Sequence, residues 1–342
     1  MSGSAAREGQ PAGSVDSTPP VPGGDGHVPQ PRVSVVVIAH TRLSYLVRAV
    51  ESATRQFPDE VVVVEFSRDP SVDAELVRLG ARVFPTREGY PGGKFADGID
   101  HCRGDVVVFL DDDDVLLPGK IARVREVFSD PEVVFHANRY ATFADAPPAQ
   151  GRIGPVEVFD TRSGNQYRRG LRPVIASCLT VRRTAILPWL GDLRRLTIAD
   201  HSVFMMAVTE RRRMAMDQSV LTGYHLNVSE GVARAANSIW ARPGNPNQDI
   251  AWMLDLLDSQ SDGAHATLNP AVVNAILHLV FHTRETGFHE YRRTMRALLD
   301  GVGLRRPLTV PTLLMFGYPL APKVAVRLAG LWQSHRRFHG ER

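Results

Sequence analysis

Val33-Ser34-Val35-Val36-Val37-Ile38 is apolar at nearly every position, and this run constrains the fold more than any other feature. A strand with one wet face alternates apolar and polar residues, whereas a near-continuous apolar run belongs to a strand buried on both faces. Val61 to Val64 and Val106 to Leu110 repeat the pattern. Helical periodicity fills the gaps. Leu43 to Arg55 places Leu43, Leu46, Val47 and Val50 on one face. Val72 to Leu79 and Phe95 to His101 read as shorter helices, Gly119 to Phe128 as another, and Val133 to Phe135 as a further strand. Strands that alternate with helices predict an α/β fold, a mostly parallel sheet sandwiched by helices. Ligands of such sheets bind beyond the carboxyl ends of the strands.

The second half is less regular. Ala176 to Val181 and Val220 to His225 read as strands, and Asp200 to Thr209 as a helix. From Ile250 the pattern turns helical, over Ile250 to Leu257, Ala271 to Thr283 and Tyr291 to Leu299. Residues 1–31 are rich in Gly, Pro, Ser and Ala, and such a segment buries too little apolar surface to offset its ordering entropy. The expected division is therefore a disordered tail over 1–31, an α/β domain over 32–232 and a helical C-terminal extension over 233–342.

Composition narrows the function. Apolar residues make up 43% of the 342, enough for a sizeable core. A net charge of +3 gives no strong field to hold nucleic acid, so none is expected as a partner. Two isolated cysteines, Cys102 and Cys178, build neither a zinc site nor a disulfide framework and fit a reducing cytoplasm. No signal peptide and no spanning run of about 18 apolar residues is visible. Residues 301–342 carry seven Lys or Arg and one acid, Glu341. Docking of this segment on the domain is the expectation, and peripheral contact with the inner face of an anionic membrane is the alternative.

Val106-Val107-Val108-Phe109-Leu110 leads into Asp111-Asp112-Asp113-Asp114. Four adjacent carboxylates at a strand end repel one another unless a cation neutralises them. Hard oxygen ligands suit Mg²⁺ or Mn²⁺, either of which can bridge to a diphosphate. The competing reading is a solvated acidic turn capping the next helix. Asp111-x-Asp113-x-Val115 also fits the nucleophile loop of haloacid-dehalogenase-like phosphatases. That loop usually follows the first strand of its domain, whereas at least two strand–helix units precede the run here.

Several stretches together resemble family 2 glycosyltransferases. Val33 to Arg42, followed by Tyr45-Leu46 and Ala49-Val50-Glu51-Ser52, is similar to the family's opening strand, turn and first helix. Glu60 to Glu65 is similar to its second strand. Gly98-Ile99, then Gly104-Asp105 through Asp114, Pro118 and Lys120-Ile121, is the most specific match. The resemblance covers roughly residues 33–230 and is strongest in the first half. It implies a GT-A type, Rossmann-like fold and an inverting, metal-dependent transfer of sugar from a nucleotide-sugar donor. The acceptor hydroxyl, on a glycan, a lipid-linked molecule or a small molecule, is not specified. Asp113 is then expected to hold the metal. Asp111 and Asp112 are expected beside the donor, Asp112 near the ribose, and His40 and Glu65 near the nucleobase. The chain departs from the family at His40-Thr41, where Tyr-Asn is frequent, and at Glu65-Phe66, where paired aspartates are frequent. It departs again at Lys94-Phe95-Ala96, where Ala-Arg-Asn is frequent. Lys94 is expected to replace the missing arginine as a donor-binding cation. For these three, the competing readings are a turn histidine, a surface carboxylate and a solvated loop cation.

Transfer to a hydroxyl needs a base. In Thr197-Ile198-Ala199-Asp200-His201-Ser202, Asp200 opens an apolar helix about 90 residues after the metal motif, where the family supplies that base. A plain helix N-cap is its other reading, and His201 is a rival base. His225 is the expected histidine metal ligand, with a structural role as its alternative. Arg168, Arg169 and Arg172 read as a solvated loop that could also meet an acceptor or a phosphate. Three other functions stay open: a non-catalytic nucleotide-sugar-binding module, a sugar nucleotidyltransferase and the phosphatase. Ala39-His40-Thr41-Arg42 lacks the Gly-rich loop that the nucleotidyltransferase needs.

Overall fold

A computed structural model describes residues 30–39, 43–65, 69–161, 175–197, 199–226 and 246–260. His40, Arg168, Arg169, Arg172, nearly all of the tail 1–31, the helices expected over 271–283 and 291–299, and the basic segment 301–342 lie outside the described residues.

The chain opens with β1 (Val33–Ala39), α1 (Leu43–Thr54), β2 (Glu60–Glu65), α2 (Pro70–Arg78), β3 (Ala81–Pro85), α3 (Pro91–His101) and β4 (Val106–Asp111). Then come β5 (Val115–Leu116), α4 (Lys120–Phe128), β6 (Val133–Phe143) and β7 (Val156–Asp160). A short 3₁₀ turn over Ala176–Cys178 enters β8 (Leu179–Arg182), followed by α5 (Arg183–Ile186) and α6 (Leu190–Leu193). The described part ends with α7 (Ala199–Thr209), β9 (Arg213–His225) and α8 (Pro246–Asp258).

One sheet runs in the order β3-β2-β1-β4-β8-β6-β9-β5, with β7 paired to β9. Its first four strands are mutually parallel, as strand–helix alternation predicts. Beyond β4 the sheet is mixed. Strand β8 lies antiparallel between β4 and β6, β6 and β9 are parallel, and β5 and β7 add to β9 antiparallel. The alternation on which the expectation of a mostly parallel sheet rests stops after α4.

Successive residues of β1 enter opposite layers, as the period of two demands. Val36 and Ile38 join Phe95, Ile99, Val203 and Leu254 beneath α3, α7 and α8. Val35 and Val37 join Leu46, Val50, Ile121 and Val124 beneath α1 and α4. Helices therefore cover both faces, and the strand ends are left to build a site. Among the described residues no helix is long and apolar enough to cross a membrane.

Candidate active site

Register places the expected residues side by side at the carboxyl edge of the parallel strands. Ile38 of β1 stands opposite Asp111 of β4, and Ala39 opposite Glu65 of β2. Glu65 is fully buried, which removes the surface-carboxylate reading, and its backbone oxygen accepts the Thr86 N–H at 3.0 Å. Lys94 lies within α3 and is 4% exposed, so it is not a solvated loop cation. Its ammonium donates to the Ala39 carbonyl at 3.1 Å, on the strand end next to Glu65. Lys94 thus reaches the end of β1 next to Glu65, the region where a nucleobase is expected.

The acidic run is not a solvated turn either. Asp112, Asp113 and Asp114 are 2%, 8% and 0% exposed, and α4 is capped by Gly119 with φ 91°. The segment is gripped from three sides. From α1, Arg48 donates to the Asp113 carbonyl at 3.3 Å and Ser52 Oγ accepts the Leu116 N–H at 3.0 Å. From the turn before β8, Ser177 Oγ accepts the Asp111 N–H at 3.0 Å and donates to Asp114 Oδ2 at 2.6 Å. From β9, the His225 N–H donates to Asp114 Oδ1 at 3.0 Å and Leu221 accepts the Leu117 N–H at 3.0 Å.

Loss of solvent holds the Asp111 carboxyl well above the ordinary carboxylate range, and the charges of Asp114, Asp113, Asp200 and Asp112 raise it further. Every one of those neighbours is negative. Asp200, 89 positions beyond Asp111 in the numbering, stands in the first turn of α7 and is near enough to act on Asp111. Fold closure therefore brings the expected base to the expected metal loop. Burial also lowers the pKa of the neighbouring His201, partly offset by Asp200, which favours its neutral form.

Among the described residues no group of three or more His, Cys, Asp or Glu side chains is arranged to hold a metal ion by itself. An open set of carboxylates with excess negative charge fits Mg²⁺ or Mn²⁺, which bind through one or two carboxylates and fill the remaining positions with phosphate oxygens and water. His225 is arranged differently from a simple ligand. Its Nε2 lies 2.9 Å from the Ala144 carbonyl, its ring packs against Tyr45 and Phe143, and its buried Nδ1 has no hydrogen bond among the described residues. Donation from Nε2 to that carbonyl leaves Nδ1 as the nitrogen with a free lone pair.

Sequence reasoning missed Arg48, Ser177 and Asp249. The Arg48 guanidinium sits over the Tyr45 and Phe143 rings at 5.2 and 5.1 Å. The buried Asp249 carboxylate in α8 accepts the Thr197 N–H at 3.1 and 2.9 Å, three residues before Asp200. None of the three stands in a local pattern that marks it.

A family model described as glycosyl transferase family 2 matches residues 34–188. This segment is a family 2 glycosyl transferase domain. The chain is 33% identical over 113 residues to an uncharacterized glycosyltransferase of Nostoc sp., covering 30% of this chain and 34% of the relative. It is 25% identical over 163 residues to the uncharacterized glycosyltransferase YwdF of Bacillus subtilis, covering 42% and 60%. The chain thus spans about a third and three fifths of these two relatives' lengths. Among solved structures it is similar in fold to S. aureus TarS 1-349 in complex with UDP-GlcNAc, at TM-score 0.57 and 15% identity, covering 86% of this chain and 89% of that one. The same protein with UDP gives TM-score 0.59 and 14% identity, covering 91% and 93%. The family 2 domain holds the acidic loop, Glu65, Lys94 and Ser177, whereas Asp200 and His225 lie beyond the matched residues.

Proposed function

We propose that this protein is a metal-dependent, inverting glycosyltransferase that moves a sugar from a nucleoside-diphosphate sugar to an acceptor hydroxyl. One observation carries the reading: the residues that match the family 2 model place a buried run of aspartates at the carboxyl end of β4, beside the end of β1. The binding of UDP-GlcNAc and UDP by the TarS structures supports a uridine nucleotide as the first donor to try. Glu65 and Lys94 would flank the base, and Asp112 the ribose. Asp113 and Asp111 would hold Mn²⁺ or Mg²⁺, which when bound supplies positive charge to the leaving diphosphate. Asp200 would accept the proton of the acceptor hydroxyl as that oxygen attacks the anomeric carbon. The buried loop resists rearrangement as charge develops, which is how a preorganised site lowers a barrier.

The test is a thermal-shift and turnover comparison of the native protein with Asp113→Asn. UDP should raise the melting temperature far more with Mn²⁺ than without it, because a ligand that binds only the folded state stabilises it by mass action. The variant should lose that Mn²⁺-dependent increment and most donor turnover. Retention of both would refute the assignment. Mn²⁺-dependent binding without any turnover would identify a binding module instead.

A further inference from the structure

The acidic loop has four aspartates, and the fourth is tied to the mixed half of the sheet. Asp114 is fully buried and each of its carboxylate oxygens accepts a hydrogen bond, Oδ2 from Ser177 Oγ at 2.6 Å and Oδ1 from the His225 N–H at 3.0 Å. The hydroxyl that donates to Asp114 also accepts the Asp111 N–H at 3.0 Å. One serine therefore ties both ends of the turn, which is closed by Asp114 N–H to Asp111 C=O at 3.3 Å.

Ser177 is itself held from behind. Thr222 Oγ1 donates to the Ser177 carbonyl at 2.9 Å and accepts Asn138 Nδ2 at 3.0 Å. Asn138 Oδ1 accepts from the Lys120 ammonium, which also donates to the Cys178 carbonyl at 3.3 Å. Lys120, Asn138, Ser177, Thr222 and Asp114 are all buried. The donor and acceptor roles are consistent at every link, since each hydroxyl gives one proton and accepts into a lone pair. An ammonium sealed in a core is costly, and well-packed apolar residues are often at least as stable there. The chain is better explained by what it orients, because a fully satisfied buried polar network fixes one arrangement of its members.

We infer that Asp114 and Ser177 are positioning residues: Ser177, braced through Thr222, Asn138 and Lys120, locks Asp114 inward and thereby sets Asp111 to Asp113 for the metal and diphosphate. The inference rests on the proposed function. It divides the run into three carboxylates for the ligand and one anchor.

The experiment uses the full chain with UDP and Mn²⁺, following free Mn²⁺ by electron paramagnetic resonance and UDP by calorimetry. Partners that orient metal ligands are typically worth about 10–100-fold in metal affinity. Ser177→Ala should therefore weaken UDP-dependent Mn²⁺ binding by roughly that factor. Ser177→Thr, which keeps the hydroxyl, should recover much of it. Leu76→Ala, a core deletion in α2, lowers the melting temperature for reasons unrelated to the loop and should leave the binding constants unchanged. If Ser177→Ala does not fold, Thr222→Val, which keeps the shape and loses the hydroxyl, decides: weaker binding supports the inference and native binding overturns it. Native constants in Ser177→Ala, or equal weakening in Leu76→Ala, overturn it as well. With Asp113→Asn silent and Ser177→Ala native, only the positioning role fails. With no UDP-dependent Mn²⁺ binding in the native protein, the proposed function and this inference fail together.

Discussion

Gly92 links the fold to the expected base, and Gly92→Ala tests that link. The residue stands in the first turn of α3. A Cβ there would meet the carbonyl oxygens of Leu193 and Leu196 well inside the 3.4 Å at which ordinary contact begins, short by about 1 Å for each. Both oxygens are backbone, so no side chain can swing away. Helix α3 has little room to retreat, because Gly98 already faces Val36 of β1 and Lys94 is hydrogen-bonded to Ala39. Arg194 ties the 193–197 segment to Asp97 and Asp100 of α3. The methyl should therefore push that segment, and Asp200 after it, by a sizeable fraction of an ångström. Overpacking of this kind costs about 1–3 kcal/mol. For a domain of this size that is a fall of roughly 2–12 °C in melting temperature, at about 2–4 °C per kcal/mol. A misplacement of about 1 Å can cost 10²-fold in rate. Turnover should fall by about that factor while UDP affinity stays close to native, since the acidic loop sits on other segments. Melting curves, calorimetry and donor turnover measure the three quantities. A variant with native melting and native turnover would show that the contact is looser than this. Equal losses in affinity and rate would show that α3 gave way instead.

Asp200→Asn should cut transfer by about 10²–10⁴-fold with UDP binding intact, and a native rate would remove Asp200 as the base. Asp217→Asn breaks a buried cluster in which Asp217 takes Arg123 Nε at 2.9 Å, the Ser219 N–H at 2.8 Å and His136 Nε2 at 3.2 Å. Burial raises that carboxyl, but the bonds from His136, Arg123 and Ser219 outweigh it and hold it well below its ordinary range. Removing one partner of a buried pair costs about 3–5 kcal/mol, read by urea denaturation, and a loss under about 1 kcal/mol would refute the cluster's importance. Burial lowers the His136 pKa to about 4 against an ordinary 6.5, partly offset by Asp217. The unfolded chain then binds the extra proton first, so stability should fall as pH drops from about 6.5 towards 4, by up to about 3 kcal/mol. His136→Gln should flatten that part of the pH–stability curve.

What was legible in the sequence follows from how local each signal is. β1, β2 and β4 are buried on both faces and announce themselves as apolar runs. β3 is mostly half-buried, carries Arg82 and ends in Pro85, so Ala81 to Pro85 has no such signature. β6 extends to Phe143, well past Phe135, because His136 and Asn138 are buried as hydrogen-bonding groups and read as loop residues in the sequence. The acidic run was visible because four carboxylates and the strand that delivers them are contiguous. Asp114's separate role was not, since its partners Ser177 and His225 lie 63 and 111 positions away. The placement of Asp200 in the first turn of α7, near Asp111, likewise belongs to the closed fold.

The site divides along the sheet. The parallel strands supply Glu65, Asp111 and the loop that follows β4, all at strand ends and all from the first third of the chain. The mixed half supplies the clamps, through Ser177 before β8 and His225 at the end of β9, and delivers Asp200 on α7. Asp114 is where the halves join, and its two donors offset part of the cost of burying it. The Asp111 carboxyl, by contrast, is raised first by loss of solvent and then by the neighbouring negative charges. The repulsion within the run is felt at Asp111. A divalent cation would relieve it, and a phosphate-bearing ligand alone would add to it. Mn²⁺ and UDP should therefore bind cooperatively, each raising the affinity of the other by the same factor.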